Sequence, residues 1–274
     1  MINHSFAVMA YRDSPYLSLC LDSLFRQKVE SAVFITTSTP SDYIFNIARQ
    51  YGVEVFVNDD RKGISQDWNF SLRKAKTKYV TLAHQDDIYL PEYSIDSMRA
   101  AEKFNDTIVS FTNYRELNLD QEARKKLIIK IKEWILIGFM PFKNNIKRKF
   151  WKKMVLTFGS PIACPSVMYN LEQLIDFNFS TEYSISLDWE AWFRMAGFKG
   201  RFVYVPKVLL KHRIHLQSET TAGLEANIRQ MEDLKMFKRI WPSTVAKFLA
   251  KLYSGSYKSN EGKIKSNIFV PKKM

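Results

Sequence analysis

Three stretches of this chain hold residue types at spacings that could do chemistry. The first, His84-Gln-Asp-Asp87, places an imidazole beside two adjacent carboxylates directly after an apolar run. Adjacent carboxylates repel one another unless a cation or hydrogen-bond donors compensate them. A hard divalent cation shared with ligand phosphates is one solution; a turn in which Asp86 and Asp87 cap the helix after Pro91 is the other. The second stretch begins at Asp188, where a helical pattern opens that ends at Gly197. A carboxylate there serves either as an N-cap or as a general base. Glu190, in the same first turn, suits the positive end of the helix and could be structural. The third stretch carries Arg213 and His215 near the end of a strand. A guanidinium grips phosphate with two parallel hydrogen bonds and an imidazole completes a metal shell, although either residue could equally be structural. His212, just before Arg213, receives no role.

The elements that must position these groups follow from the hydrophobic pattern. Phe6–Ala10, Val33–Ile35, Val53–Val57, Tyr79–Ala83 and Thr107–Thr112 read as strands. They alternate with helices over Pro15–Phe25, from the cap Ser41 toward Tyr51, over Gln66–Ala75 and from Pro91 to about Phe104. Gly52 ends the second of these helices. Repeated strand–helix order with continuously apolar strands predicts an α/β fold: a mostly parallel sheet flanked by helices. Ligands of such sheets lie beyond the carboxyl ends of the strands. The positions to weigh are therefore Tyr11–Asp13, Thr36–Ser38, Asn58–Asp60 and His84–Asp87.

The order of three segments resembles family 2 glycosyltransferases, which have the GT-A (Rossmann-like) fold. Met9-Ala-Tyr-Arg12 stands where that family has its opening Pro-Thr-Tyr-Asn-like turn. Gly63-Ile-Ser-Gln-Asp-Trp-Asn69 matches a Gly-x-Ser-x-x-x-Asn segment, and His84-Gln-Asp-Asp87 matches an Asp-x-Asp-Asp motif. Asp188 through Arg194 is similar to the acidic motif opening a helix that ends in Arg-x-x-x-x-Gly, and Arg213-x-His215 to an element near the diphosphate. The chain departs from the pattern at four places: His84 replaces an Asp, Ala10 a Thr and Leu187 an acidic residue. Thr36 and Thr37 stand where many members carry an Asp that reads the base.

The resemblance implies Asp188 as the catalytic base and Asp86, Asp87 and His215 as ligands of Mn²⁺ or Mg²⁺. It places the nucleotide-sugar donor against Ala10, Tyr11, Asp13, Thr37, Asn69, His84, Gln85, Asp86 and Arg213. An inverting displacement needs two separated acidic sites: one neutralises the leaving diphosphate and the other deprotonates a sugar hydroxyl. The catalytic unit is expected over 1–220, as a nucleotide-sugar half (1–115), a basic helical insert (116–157) and an acceptor half (158–220). Amphipathic helices and a basic tail follow over 221–274.

Composition bounds the remaining possibilities. With 274 residues, 46% of them hydrophobic and 25% charged, the chain can bury a sizeable core, which excludes wholesale disorder. The longest apolar run, Trp134–Phe142, is far short of the roughly 20 residues that cross a bilayer. The start Met-Ile-Asn-His-Ser-Phe enters a strand without a leader pattern. Two cysteines make no disulfide framework. The net charge of +13 is concentrated: residues 124–153 carry 11 basic side chains against one acidic, and residues 229–274 carry 11 against three. Both segments mix Lys and Arg with Trp, Phe, Ile and Leu at helical spacing: Leu127, Ile128, Ile131, Trp134 and Ile135 in one, Val245, Phe248, Leu249, Leu252 and Tyr253 in the other. Helices packed on the catalytic unit would give this pattern, as would an anionic membrane surface holding a polyprenyl-linked glycan acceptor. No nucleic-acid motif accompanies the charge, so no nucleic-acid partner is expected. Past Gly255 the polar, Lys-rich tail is expected to be poorly ordered.

The expected protein is thus a metal-dependent transferase of surface polysaccharide synthesis, cytoplasmic and peripheral at the inner face of the cell membrane. A UDP- or dTDP-sugar would be its donor. A catalytically inactive relative that binds nucleotide or glycan is the alternative.

Overall fold

Strict alternation along the first strand assigns the two faces of the sheet. In the computed structural model, which describes residues 2–60, 63–118, 121–122, 138, 144–214 and 227–266, that strand is β1 (His4–Ala10). Phe6 and Val8 join one apolar cluster and Ala7 the other. The chain continues with α1 (Leu17–Phe25), β2 (Ala32–Thr37), α2 (Asp42–Tyr51), β3 (Glu54–Val57), α3 (Ile64–Lys74) and β4 (Tyr79–His84). It goes on with β5 (Ile88–Tyr89), α4 (Tyr93–Ala101), β6 (Thr107–Asn118), β7 (Gln121–Glu122), β8 (Asn145–Ile146) and α5 (Lys149–Val155). The last elements are β9 (Val167–Asn170), α6 (Leu187–Met195), β10 (Arg201–Ile214), α7 (Ile228–Ile240) and α8 (Ser243–Ser266).

Among the described residues the strands form one sheet in the order β3-β2-β1-β4-β9-β6-β10-β5, with β7 added to β6 and β8 to β10. The four strands β3, β2, β1 and β4 are mutually parallel, as are β6 and β10, while β9 runs antiparallel between β4 and β6. The mostly parallel sheet expected from the strand–helix order is present. Its register aligns the strand ends: Ala10 pairs with Thr37, Thr37 with Val57, and Met9 with His84. Every segment singled out at a strand end therefore meets at one edge.

Local signals explain the helix that fixes β2 against β3. The Ser41 hydroxyl accepts the Ile44 N–H, and Gly52 closes the helix at φ 63°, a conformation that costs a residue without Cβ nothing. Ile44, Ile47 and Ala48 face the sheet.

Four elements differ from the sequence expectation. β6 runs on to Asn118, and β10 is one strand from Arg201 to Ile214, irregular between Val205 and Leu210, where the sequence pattern predicts a strand over Phe202–Val205 followed by a separate segment from Val208. Their long mutual pairing supplies the ladder that neither segment's sequence announces. β5 was not expected, because two residues make no pattern; its pairing to β10 creates it. α8 continues through Ser266, past the expected end at Gly255. An interior glycine costs a helix about 1 kcal/mol but does not break it, and no proline follows until Pro271.

The second half closes over the same core. Trp189 and Trp192 of α6, Met236 and Phe237 of α7 and Ala246 of α8 are buried in the cluster that contains Phe111 of β6 and Leu82 of β4. Lys152 of α5 is fully buried and donates to the carbonyl oxygens of Phe198 (2.8 Å) and Gly200 (2.9 Å). Burial pulls its pKa down to about 8, helped by the Lys149 charge and opposed by Asp106. It is a structural cation, not one of the headgroup-facing lysines expected in that run. Most of the 124–153 segment before it, residues 124–137 and 139–143, lies outside the described residues.

Candidate active site

β4 carries the chain to the sheet edge, and a turn then presents His84, Asp86 and Asp87 together. One ligand atom from each lies within 4.8 Å of the others. Asp87 is buried, and its carboxylate is held by three contacts from β10. His212 Nδ1 lies 2.9 and 3.2 Å from its two oxygens, and the Arg213 backbone N–H donates to Oδ1 at 2.9 Å. The register explains this: Lys211 pairs with Ile88 across the antiparallel β5–β10 ladder, so the next pair is His212 with Asp87. Burial lowers the proton affinity of His212, but the charge and hydrogen bond of Asp87, then Asp86 and Glu116, outweigh it and raise its pKa to about 9. His212 is thus the residue that sequence reasoning missed. Its partner lies 125 positions away, and no local signal marks the pair.

Arg213 is buried, with its guanidinium 4.2 Å from the centre of the Tyr16 ring and Nε donating to the Asp86 carbonyl at 3.0 Å. It braces the Asp86–Asp87 turn from behind. His84 packs on Trp68 with ring centres 5.7 Å apart, and its Nε2 is a buried atom without a hydrogen-bond partner among the described residues. Burial lowers its pKa, while Asp87, Asp86, His212 and Asp188 act on it electrostatically. A neutral imidazole with an unsatisfied ring nitrogen, close to two carboxylates, is a donor set that fits a divalent cation. His215 lies outside the described residues.

Asp188 stands close enough for its charge to raise the proton affinity of His84. Asp188 stands in the first turn of α6, at the positive end of the helix dipole. It is not the N-cap: Ser186 takes that position, and Asp188 Oδ1 accepts the N–H of Trp189 at 2.6 Å. The approach to α6 is clamped from α7. Glu232 accepts the backbone N–H groups of Ser184, Ile185 and Ser186 at 2.7, 2.9 and 2.8 Å, and the Ser186 hydroxyl donates to Asp233. Glu190 is buried and its carboxylate accepts from Arg194 and Arg239, so it is held in a structural ion cluster.

The remaining strand ends complete the edge. Gln85 and Tyr11 exchange hydrogen bonds, Tyr11 N–H to Oε1 at 3.1 Å and Nε2 to the Tyr11 carbonyl at 2.9 Å, tying the end of β1 to the end of β4. Ala10 is buried. Asp13 is exposed and accepts the Ser41 hydroxyl. Thr37 is buried, with Oγ1 accepting the Thr39 N–H. Asn69 is placed differently from a donor contact: its buried carboxamide is taken at both ends by the backbone of Phe179, at 2.6 and 3.0 Å. Beyond β3, a cleft of about 480 Å³ is lined by Asn58, Asp60, Gln66 and Arg73.

Residues 5–168 match the sequence pattern of glycosyl transferase family 2, and the chain belongs to that family. No curated protein sequence matches the chain. Solved structures share the GT-A fold. A mannosyltransferase of Pyrobaculum calidifontis, solved with GDP-Man and Mn²⁺, aligns at TM-score 0.64 and 12% identity over 98% of this chain and 76% of its own. Residues 1–349 of TarS of S. aureus, solved with UDP-GlcNAc, align at TM-score 0.63 and 13% identity over 91% and 70%. The glucosyl-3-phosphoglycerate synthase of Mycobacterium tuberculosis, solved with Mn²⁺ and UDP-glucose, aligns at TM-score 0.57 and 14% identity over 87% and 79%. The chain spans 42% of the length of the longer TarS chain.

Proposed function

We propose that this protein transfers a sugar from a UDP- or dTDP-sugar to a lipid-linked glycan acceptor, with inversion, in the assembly of a cell-surface polysaccharide. The observation that carries the catalytic part is the His84–Asp86–Asp87 group at the carboxyl edge of the sheet, with Asp188 close enough for its charge to act on His84. Similarity to enzymes solved with nucleotide sugars and Mn²⁺ supports the donor class.

Asp86 and Asp87, with His84 beside them, would hold Mn²⁺ or Mg²⁺; when bound, the cation neutralises charge on the leaving diphosphate. The chain's own residues do the rest. His212 and the Arg213 N–H fix the Asp87 carboxylate, and Arg213 Nε fixes the Asp86 peptide, so both acids keep one geometry. Asp188 accepts the proton of the attacking sugar hydroxyl, a contribution of roughly 10²–10⁴ in rate. Glu232 holds the strand of backbone that leads into α6 and so sets where Asp188 stands. The acceptor class rests on the basic, apolar-bearing segments, which suit a lipid-embedded substrate.

The deciding experiment is a panel of nucleotide sugars assayed for metal-dependent hydrolysis and for protection against thermal unfolding. A bound donor at 100 times its dissociation constant adds about 2.7 kcal/mol. The native protein should be protected only with metal present, and Asp86→Ala and Asp87→Ala should lose that protection. Unchanged metal-dependent affinity in both variants would remove the metal-site assignment. Protection without any turnover would leave the inactive nucleotide-binding relative as the better reading.

A further inference from the structure

One face of α3 touches both the metal-binding turn and the backbone that leads to Asp188. Ser65, Trp68 and Asn69 stand at helical spacing on that face, and all three are buried. Trp68 packs on His84, and its ring meets Phe179 edge-on with centres 4.9 Å apart. Asn69 holds the Phe179 backbone at both ends: Nδ2 donates to the carbonyl at 3.0 Å, and Oδ1 accepts the N–H at 2.6 Å. The Ser65 hydroxyl donates to the Ser180 carbonyl at 2.8 Å and lies 3.3 Å from that of Tyr183. Residues 179–186 are irregular chain running straight into α6. Glu232 of α7 takes the N–H groups of Ser184, Ile185 and Ser186 at the far end of the same segment.

Irregular backbone lacks the ladder that fixes a helix or a strand, so its N–H and carbonyl groups take their partners from side chains. A buried carboxamide paired at both ends with one residue's backbone is costly to disturb, because each group left unpaired loses its solvation without return. We infer that Ser65 and Asn69 are positioning residues of the transfer reaction: through residues 179–186 they set Asp188 relative to the metal-binding turn. The inference rests on the reading of Asp188 as the base and deepens it. His84 ends β4 and Asp188 opens α6, and α3 supports the first through Trp68 and the approach to the second through Ser65 and Asn69. The proton to be removed must lie within hydrogen-bond reach of the base while the leaving diphosphate stays at the turn. A misplacement of about 1 Å between two such groups costs on the order of 10²-fold in rate. The polar residues of the Gly63–Asn69 motif thus act on the reaction without touching the donor.

The test compares the native protein with Asn69→Ala and Ser65→Ala, each made alone and together with Asp188→Asn. Single-turnover assays with Mn²⁺ use whichever of UDP-glucose, UDP-N-acetylglucosamine, GDP-mannose and dTDP-glucose the native protein hydrolyses fastest, water standing in for the acceptor hydroxyl. Calorimetry with Mn²⁺ gives the dissociation constant of that donor's nucleoside diphosphate. Asn69→Ala should slow turnover about tenfold or more and Ser65→Ala a few-fold, both at unchanged nucleotide affinity. On the Asp188→Asn background neither should slow the residual rate further, because the carboxylate through which they act is gone. Ser65→Ala removes a single hydroxyl and keeps the test decisive should Asn69→Ala fail to fold. Native turnover in the folded variants, or the same fold-loss on both backgrounds, would make the two residues struts of the fold and overturn the inference. Weaker nucleotide binding at native turnover would make Asn69 a donor contact and overturn it as well. A native rate in Asp188→Asn alone, or no turnover by the native protein, would instead overturn the catalytic reading, and this inference with it.

Discussion

Asp188 shows how little a residue's neighbourhood in sequence says about its task. Its position at a helix start fits a cap and a base equally well, and only the structure separates them by giving the N-cap to Ser186. With the cap elsewhere, replacing the carboxylate should leave the helix intact. We expect Asp188→Asn to fold normally, to bind donor as the native protein does, and to turn over about 10² times more slowly or worse. Steady-state kinetics beside a thermal melt checks this, and a native rate would move the base elsewhere. Glu190, the nearest alternative on sequence, is spent on Arg194 and Arg239. The adjacent acids Asp86 and Asp87 were legible because they are local. The grip of His212 on Asp87 was not, since it depends on a strand pairing between residues 125 positions apart. Asn69 was legible as a motif position but not as a brace for Phe179, for the same reason.

At the scale of elements, the parallel strands were legible wherever an apolar run was bounded by a cap or a glycine, as α2 shows between Ser41 and Gly52. Lengths of β6 and β10 were not, because each is extended by the other. The polar side of β1 adds a property that no motif suggests. His4 is fully buried, with Nδ1 2.8 Å from the Ser31 hydroxyl and Nε2 3.0 Å from that of Thr81, linking β1 to β4 and to the turn before β2. Burial lowers its pKa to about 3, so the fold holds it neutral. The unfolded chain, with a histidine near 6.5, binds the extra proton first. Stability contributed by neutral His4 is therefore complete above pH 6.5 and is lost as pH falls toward 3, at up to about 1.4 kcal/mol per pH unit. Urea unfolding at pH 7.5 and 4.5 should show a loss of roughly 2–3 kcal/mol that is absent from His4→Gln. Equal losses in the two proteins would assign the acid sensitivity to carboxylates instead.

At the scale of the molecule, the question is where the apolar surface lies that the packed core does not use. No described helix is long and apolar enough to cross a membrane. Two elements nevertheless expose large apolar side chains. Phe150 and Trp151 of α5 are 64% and 44% exposed. On α8, Ala246, Leu249 and Tyr253 pack inward while Val245, Phe248 and Leu252, at helical spacing, face solvent. The two elements are joined where Phe158 packs on Trp241, whose indole N–H donates to the Thr157 carbonyl. Lys149 belongs to the first of these elements and Lys247 and Lys251 to the second. Cations beside exposed aromatic and aliphatic groups suit anionic headgroups above acyl chains, each basic residue adding about 1 kcal/mol near the surface. The structure changes which residues should be tested. Lys152 is buried and Lys147 is paired with Asp106, so replacing either would confound binding with folding. Phe150→Ser with Trp151→Ser, and separately Phe248→Ser with Leu252→Ser, remove exposed apolar groups and should leave the melt unchanged. Native protein should co-sediment with vesicles containing anionic lipid, less so as salt rises because screening acts within about 8 Å at physiological ionic strength. Each double variant should pellet several-fold less while keeping its rate on a short soluble acceptor, since Asp188 and the Asp86–Asp87 turn are untouched. Equal pelleting of native and variant proteins, or none by either, would mean that these faces meet something other than a membrane.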